Sequence, residues 1–461
     1  MQQLTQKLTE IVGEDYLLTD QSSLNQYGQD WSKLYTPKPS LILRPANTEQ
    51  VSKIMQLAEQ HAIAVVPSGG RTGLSGGAVA TKGEWVISLE RLNRISQFNP
   101  IDKTVNCGAG VITQQLQEFA KSHDMYYPVD FASAGSSQIG GNIATNAGGI
   151  KVLKYGLTRD WVNAITLVMA DGEVIKLNNG LIKNATGYDL RHLIIGSEGT
   201  LGIVTEAEMQ LTSAPIEPTV ILLAVDSLQQ ISHLLVHFQK ELDLLAFEFF
   251  SQAALDKVVA HRGLTPPFND PSNFYVLLEF DAISETSLEQ ALNAFEKAAE
   301  NEWLIDGVIS QSRQQAQELW QFREGISESI AHYPPYKNDI AVKPSQVGEF
   351  LQKVDDFVNQ QYPDFETIWF GHIGDGNLHL NILKPEAMDL EQFKLQCLQA
   401  NPAIFKILQT FNGSISAEHG VGLVKKDYLS YSRSPQEIQL MQSIKRIFDP
   451  KNILNPGKLF K

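Results

Sequence analysis

Between Gly371 and Ile382 the chain reads Gly-His-Ile-Gly-Asp-Gly-Asn-Leu-His-Leu-Asn-Ile, and further on comes Ser416-Ala-Glu-His-Gly-Val-Gly422. These two segments hold three of the chain's ten histidines. Two neutral imidazoles and one carboxylate suit a divalent metal with coordination positions left for water or substrate oxygens. His372, His379 and Glu418 are therefore the candidate ligands, for zinc first, with manganese or cobalt accepting the same donors. A hydrogen-bonded polar strand pair without a metal would leave the same signature. Adjacent residues in an extended segment point in different directions, so His419 can serve apart from Glu418. An imidazole titrating near ~6.5 suits a general base at neutral pH.

A second group of residues could grip an anion. On the helix expected around Gln314 to His332, Arg323 and Ser327 stand at i and i+4, which puts them on one face. Lys337 follows the Pro334-Pro335 pair and adds a compact point charge beside the planar fork of Arg323. Taken singly, each cation also reads as a solvated surface charge. Asn381 alternates with Leu380 and Ile382, so it shares a strand face with His379.

The elements that must position these residues come in two textures. From Thr219 the pattern reads strand Val220 to Val225, helix Ser227 to Glu241, strand Leu245 to Phe249, strand Phe274 to Phe280, helix Glu285 to Glu300 and strand Gly307 to Ser310. That is a split β-α-β, β-α-β layout of the ferredoxin-like kind. Before it, a helix with Leu4, Leu8 and Ile11 on one face and a helix with Val51, Ile54, Met55 and Ala58 inward frame short strands and turns rich in glycine. The boundary is expected at 213–218.

Glycine gathers in three places. Pro67-Ser-Gly-Gly-Arg-Thr-Gly-Leu-Ser-Gly-Gly77 follows a strand and has five glycines in eleven residues, so backbone N–H groups can converge on an anion such as a pyrophosphate. It is neither a P-loop nor the Rossmann fingerprint, and Gly108-Ala-Gly110 lacks the third glycine, having Thr113 instead. The second loop is Ala134-Gly-Ser-Ser-Gln-Ile-Gly-Gly-Asn-Ile-Ala-Thr-Asn-Ala-Gly-Gly149 and the third is Gly196-Ser-Glu-Gly-Thr-Leu-Gly202. Tight turns explain any one of them alone, but together they point to a cofactor cradle.

Composition excludes several classes. A length of 461 residues with 43% hydrophobic and 19% charged side chains suits a globular chain of two domains. A net charge of −15 argues against nucleic acid, which needs clustered cations. Apolar runs such as Val220 to Val225 are too short to span a membrane, and no leader pattern is seen, so a soluble cytoplasmic protein is expected. Cys107 and Cys397 lie far apart without CxxC spacing and are expected to be buried bystanders.

The glycine loops, Lys154-Tyr-Gly-Leu-Thr-Arg-Asp160 and Gly199-Thr-Leu-Gly-Ile-Val-Thr-Glu206 resemble the FAD-binding domain of the vanillyl-alcohol oxidase and p-cresol methylhydroxylase superfamily over roughly residues 35 to 212. Gly371 to Asn381, Glu418 to Gly422 and Asn455-Pro-Gly-Lys458 are similar to the group of FAD-binding oxidoreductases that holds glycolate oxidase and D-lactate dehydrogenase, which extends the likeness over nearly the whole chain. The fold this implies is α+β: a p-cresol methylhydroxylase-type FAD-binding domain over 1–214, completed by 421–461, and a ferredoxin-like α+β substrate (cap) domain over 215–420. The implied cofactor residues are Pro67, Ser68, Gly69, Gly70, Arg71, Thr72, Gly73 and Ser75 in the first loop, with Gly135, Ser136, Gly140, Gly141, Asn142, Thr145, Asn146, Gly148 and Gly149 in the second. Glu198, Gly199, Gly202, Ile203 and Asn455 complete the set. Covalent members often place a histidine after the Gly-Gly pair; here Arg71 stands there, which implies a non-covalent flavin.

The group oxidises small D-2-hydroxy acids. Arg323, Ser327, Lys337 and Asn381 resemble the pattern that grips both carboxylates of D-2-hydroxyglutarate, with His419 in the position of the base. Ser327 departs from the threonine of that pattern, keeping the hydroxyl and losing a methyl. The resemblance thus implies a 2-hydroxy dicarboxylate as substrate and an external electron acceptor such as an electron-transfer flavoprotein or a quinone, and it is compatible with a homodimer. D-lactate or another D-2-hydroxy acid is the alternative substrate. A non-catalytic flavin protein of electron transfer, or a metal hydrolase that would leave the glycine loops unexplained, are alternatives of another class.

Overall fold

A computed structural model describes residues 2–460, which divide into two compact units. The first takes in the chain up to Gly149, Gly156–Ala214 and everything from Glu418 onward; the second holds Ile150–Tyr155 and Pro215–Ala417. The chain passes into the second unit after Ala214 and returns to the first after Ala417. Ile150–Tyr155 groups with the second unit because Ile150 packs against that unit's core and Lys154 pairs with Asp243. Among the described residues no helix is long and apolar enough to cross a membrane. Cys107 and Cys397 are both buried and unpaired.

In the first unit β1 (Leu17–Leu18), β2 (Leu41–Leu43), β3 (Val65–Ser68) and β4 (Trp85–Ser88) form one sheet in the order β1-β2-β4-β3. Pro67 has no N–H to give, and β3 lies at the sheet edge, where the missing donor costs nothing. The outer side of β3 is met at Val65 by the C-terminal segment: the Val65 amide donates to Ile453 O at 2.7 Å, and the Asn455 amide donates to Val65 O at 2.7 Å. Helix Thr48–Gln60 is capped by the Asn47 side chain and buries Val51, Ile54, Met55 and Ala58 against this sheet.

β5 (Ile95–Asn99), β6 (Thr104–Gly108), β7 (Val162–Val168), β8 (Val174–Leu177) and β9 (Ile203–Gln210) make an antiparallel sheet in the order β5-β6-β9-β7-β8. The second glycine-rich segment is not all loop. Ile139–Thr145 winds into a short helix because Ile139 and Ile143, one turn apart, both bury in the core of this sheet.

The second unit is built on seven antiparallel strands. β10 (Pro218–Val225), β11 (Leu244–Ser251), β12 (Phe274–Asp281) and β13 (Asp306–Ile309) are joined through helices Leu228–Glu241, Gln252–Arg262 and Glu285–Glu300. Their order, β13-β10-β12-β11, is the ferredoxin-like one, with Gln252–Arg262 added between β11 and β12. β14 (Tyr336–Ala341), β15 (Glu366–His372) and β16 (Asn377–Leu383) extend the β11 edge in the order β15-β16-β14. Cross-strand partners share a sheet face. The register therefore puts Tyr275, Leu277, Glu279, Glu248, Phe250, Phe370, His372, His379, Asn381, Lys337 and Asp339 on one face. Helices Gln252–Arg262 and Arg313–Glu324 cover the apolar part of it, packing on Ala246, Phe250, Tyr275, Leu277 and Phe370.

Candidate active site

A cavity in the first unit is walled by all three glycine-rich segments: Pro67 to Ala78 on one side, Gln138 to Thr145 on another, and Ser197 to Val204 on the third. The first two meet backbone to backbone, since a Cβ on Gly70 would lie 2.1 Å from Ser136 O. Gly141, by contrast, has nothing within 4 Å of where its Cβ would stand, so it presents bare backbone to open space. Ser68 Oγ and Gln138 Oε1 belong to residues that line the cavity and are buried polar atoms without a hydrogen-bond partner among the described residues, which is what a cradle for a polar ligand requires. Asn455 ties two walls together: its Nδ2 donates to Gly77 O at 2.9 Å and to Glu198 O at 2.8 Å.

Glu198 is buried, and its carboxylate faces the C-terminal segment. Oε1 accepts from Val421 N at 2.7 Å and Oε2 from Gly422 N at 2.8 Å. Burial pushes its carboxyl up to about 7, against the pull of those two amides and of Lys425. The residues just before, Glu418, His419 and Gly420, are thereby held on a segment that is itself fastened to a cavity wall.

In the second unit β15 and β16 form a hairpin whose turn, Ile373 to Gly376, is tight enough that a Cβ on Gly376, at φ +86°, would lie 1.9 Å from Val342 O. The hairpin sets the His372 and His379 rings 5.4 Å apart at 85°. His372 Nδ1 bonds Glu248 Oε1 at 2.8 Å, and Arg323 Nη2 lies 2.7 Å from the other oxygen of that carboxylate. Arg323 also sits over the Phe370 ring, 4.8 Å from its centroid. Glu248 is fully buried on β11, so one carboxylate joins an imidazole and a guanidinium from two other elements. On the neighbouring strand Asp339 lies opposite His379, 3.8 Å from its Nδ1, and accepts from Asn377 Nδ2 at 2.9 Å and from Ala417 N at 3.1 Å. Burial pushes Asp375, in the hairpin turn, up to about 6.

Two family models match the chain: "FAD binding domain" over residues 39–178 and "FAD linked oxidases, C-terminal domain" over residues 214–459. The chain belongs to the FAD-linked oxidases. It is 54% identical to a D-2-hydroxyglutarate dehydrogenase of Stutzerimonas stutzeri over 99% of its own length and 98% of the relative's. It is 50% identical to one of Xanthomonas citri over 96% and 94% of the two chains. The fold is that of p-cresol methylhydroxylase, whose structure matches with a TM-score of 0.77 at 15% identity, covering 99% of this chain and 96% of the other.

As an FAD-linked oxidase the chain has a flavin domain, and the cavity of the first unit fits that cofactor. The expected residues divide. Pro67 to Gly73, Ser75, Gly140, Gly141, Asn142, Thr145, Glu198, Gly199, Gly202 and Ile203 line the cavity; Gly135, Ser136, Asn146, Gly148, Gly149 and Asn455 do not. Asn146 instead ends the short helix at φ +52° and accepts from Arg159 N at 3.0 Å, and Gly149 packs its backbone against Asp130 O. Arg71, also left-handed at φ +58°, lays its guanidinium 4.5 Å from the Tyr27 ring centroid.

The expected pairing of Arg323 with Ser327 on one helix face is not what the second unit holds. The helix stops at Glu324, Gly325 breaks the run, and Ile326–Ser329 is a separate turn, so Arg323 is buried while Ser327 is exposed. Lys337 is exposed, directly across from the buried Asn381 in the β14–β16 register. Sequence reading passed over Glu248 and Glu279, whose signal was a lone carboxylate inside an otherwise apolar strand. Glu279 takes Trp320 Nε1 at 2.8 Å and pairs with Lys151 at 3.2 Å.

Proposed function

We propose that this FAD-linked oxidase is a dehydrogenase of small D-2-hydroxy acids, with D-2-hydroxyglutarate oxidised to 2-oxoglutarate. The observation that carries the reading is the file of polar residues on one face of the second unit's sheet: His372, His379 and Asn381 on the hairpin, Lys337 on the strand beside it. The relatives named for that activity, which match almost end to end, support it.

His372, His379 and Glu418 would hold a divalent cation. The donor set suits one: with Nδ1 of His372 donating to Glu248, Nε2 is the nitrogen left to coordinate, and Glu418 directly follows Ala417, whose amide is fastened to Asp339. When bound, the cation supplies a Lewis acid for the substrate hydroxyl and the flavin a two-electron acceptor. His419 takes the hydroxyl proton onto its imidazole. Arg323, Ser327, Lys337 and Asn381 bind the carboxylates, and Lys337 is the residue on which selection of a diacid turns, because it stands directly across from Asn381 on the sheet face that carries His379. Arg71, in place of a histidine after the Gly-Gly pair, supports a flavin held without a covalent tether. Electrons leave to an external acceptor, an electron-transfer flavoprotein or a quinone.

Lys337→Ala tests the substrate assignment in steady-state assays with an artificial acceptor. Loss of one charge-assisted carboxylate contact, about 1.5–3 kcal/mol, should raise KM for D-2-hydroxyglutarate by at least about tenfold and leave that for D-lactate nearly unchanged. Equal effects on both acids would contradict the diacid reading and favour D-lactate.

A further inference from the structure

The segment that carries His419 continues into a run of amides that all face inward. Gly420 and Gly422 both adopt left-handed backbone, at φ +82° and +50°. Val421 and Gly422 donate to the two oxygens of Glu198, and the next two amides, of Leu423 and Val424, donate to Ser75 O at 2.9 and 3.0 Å. A Cβ on Gly422 would stand 2.2 Å from Ser75 O, so the chain approaches that loop more closely than a side chain permits. Four successive amides therefore end on two residues, and both residues line the flavin cavity.

Glu198 is a fixed post for this contact. Its own amide donates to Ala144 O at 2.7 Å and its carbonyl accepts from Asn455 Nδ2 at 2.8 Å, so its backbone is held from both sides. Each carboxylate oxygen has an amide donor, which is what makes a carboxylate tolerable at 7% exposure. A role confined to the cofactor would not require those two oxygens to meet residues 421 and 422.

We propose that Glu198 is a positioning residue for proton transfer: its carboxylate, together with the Ser75 carbonyl, fastens residues 421–424 to the flavin loops and so sets where His419 stands. The inference rests on the reading of His419 as the base and deepens it, because it makes the base and the cofactor cradle parts of one hydrogen-bonded frame.

Glu198→Gln tests it in the flavin-loaded, full-length protein. The amide keeps the size and one acceptor oxygen but turns an NH2 group on one of the two backbone donors. Hydrogen exchange over residues 418–425 reads the anchor directly, and anaerobic stopped-flow mixing with D-2-hydroxyglutarate reads the chemistry. The expected result is exchange at 421–422 faster by roughly tenfold, with flavin content and substrate affinity within about twofold. The rate of flavin reduction should fall on the order of 10²-fold, as for a reacting group displaced by about 1 Å.

Unchanged exchange at 421–422, or an unchanged reduction rate despite faster exchange, would overturn the proposal. Loss of flavin with normal reduction in the fraction still loaded would also overturn it, making Glu198 a cofactor residue only. If Glu198→Gln does not fold, Glu198→Asp, which retains the charge and reaches one amide, is read by the same criteria. His419→Ala, measured alongside, separates the two claims. Wild-type reduction in His419→Ala removes the base assignment whatever Glu198 does, whereas an inactive His419→Ala beside an unperturbed Glu198→Gln removes only the anchor.

Discussion

A carboxylate without solvent is costly unless it is paired, and in the second unit Glu248 has a hydrogen bond to His372 and an ion pair with Arg323, on two different elements. The bond to His372 Nδ1 fixes one tautomer, and the contact with Arg323 neutralises the charge. Glu248→Gln keeps the acceptor for His372 but turns an amide donor on the guanidinium. Metal content after dialysis against a weak chelator should then fall, with affinity reduced about 10- to 100-fold and the protein still folded. Unaltered metal affinity would mean that His372 needs no such support. Glu248 also marks where sequence reading stops. Leu-Leu-Ala-Phe-Glu-Phe-Phe-Ser announces a buried strand, and a buried glutamate must have partners, yet the identity of those partners depends on a register that brings β15 beside β11, from more than a hundred residues away.

At the scale of elements, the hairpin β15–β16 determines whether the two imidazoles face each other. Gly376 has a left-handed backbone and no room for a methyl group. Gly376→Ala should therefore lose at least about 1–3 kcal/mol in denaturant unfolding and bind metal more weakly, because the turn must open to relieve the contact. A variant with unchanged unfolding midpoint and unchanged metal binding would show the turn to be slack. The ferredoxin-like core was legible because its helices Leu228–Glu241 and Glu285–Glu300 carry a helical period and its three long strands are apolar runs of strand length. The three added strands were less so: β14 follows a double proline, and its partner β16 lies some forty residues on, so only the alternation around His379 hinted at a strand. The helix broken at Gly325 misled for a related reason, since an i, i+4 spacing implies a shared face only if the helix continues. The glycine loops were plain from their composition, but the helix within the second one depends on Ile139 and Ile143 finding a core that local sequence does not display.

For the whole molecule, buried carboxyls set how stability responds to pH. Glu198 has its carboxyl raised to about 7 in the folded state from an ordinary value of 4.5. Between those values the folded chain binds more proton than the unfolded one, so this group's contribution declines as pH rises from 4.5 to 7 and is flat above that. The difference is on the order of 3 kcal/mol. Asp375, raised from 3.8 to about 6, acts in the same direction at lower pH. Denaturant unfolding of wild type and Glu198→Gln across pH 5 to 8 should accordingly show a smaller decline in the variant, and parallel curves would contradict the assignment.

Whether His419 couples the flavin to oxidation of a D-2-hydroxy diacid is read in anaerobic bleaching of the flavin absorbance. D-2-hydroxyglutarate should bleach the wild-type protein rapidly and L-2-hydroxyglutarate should not. His419→Ala, with its flavin still bound, should be slower by about 10²–10⁴-fold. Equal bleaching of wild type and His419→Ala, or bleaching by D-lactate in preference to the diacid, would contradict that coupling.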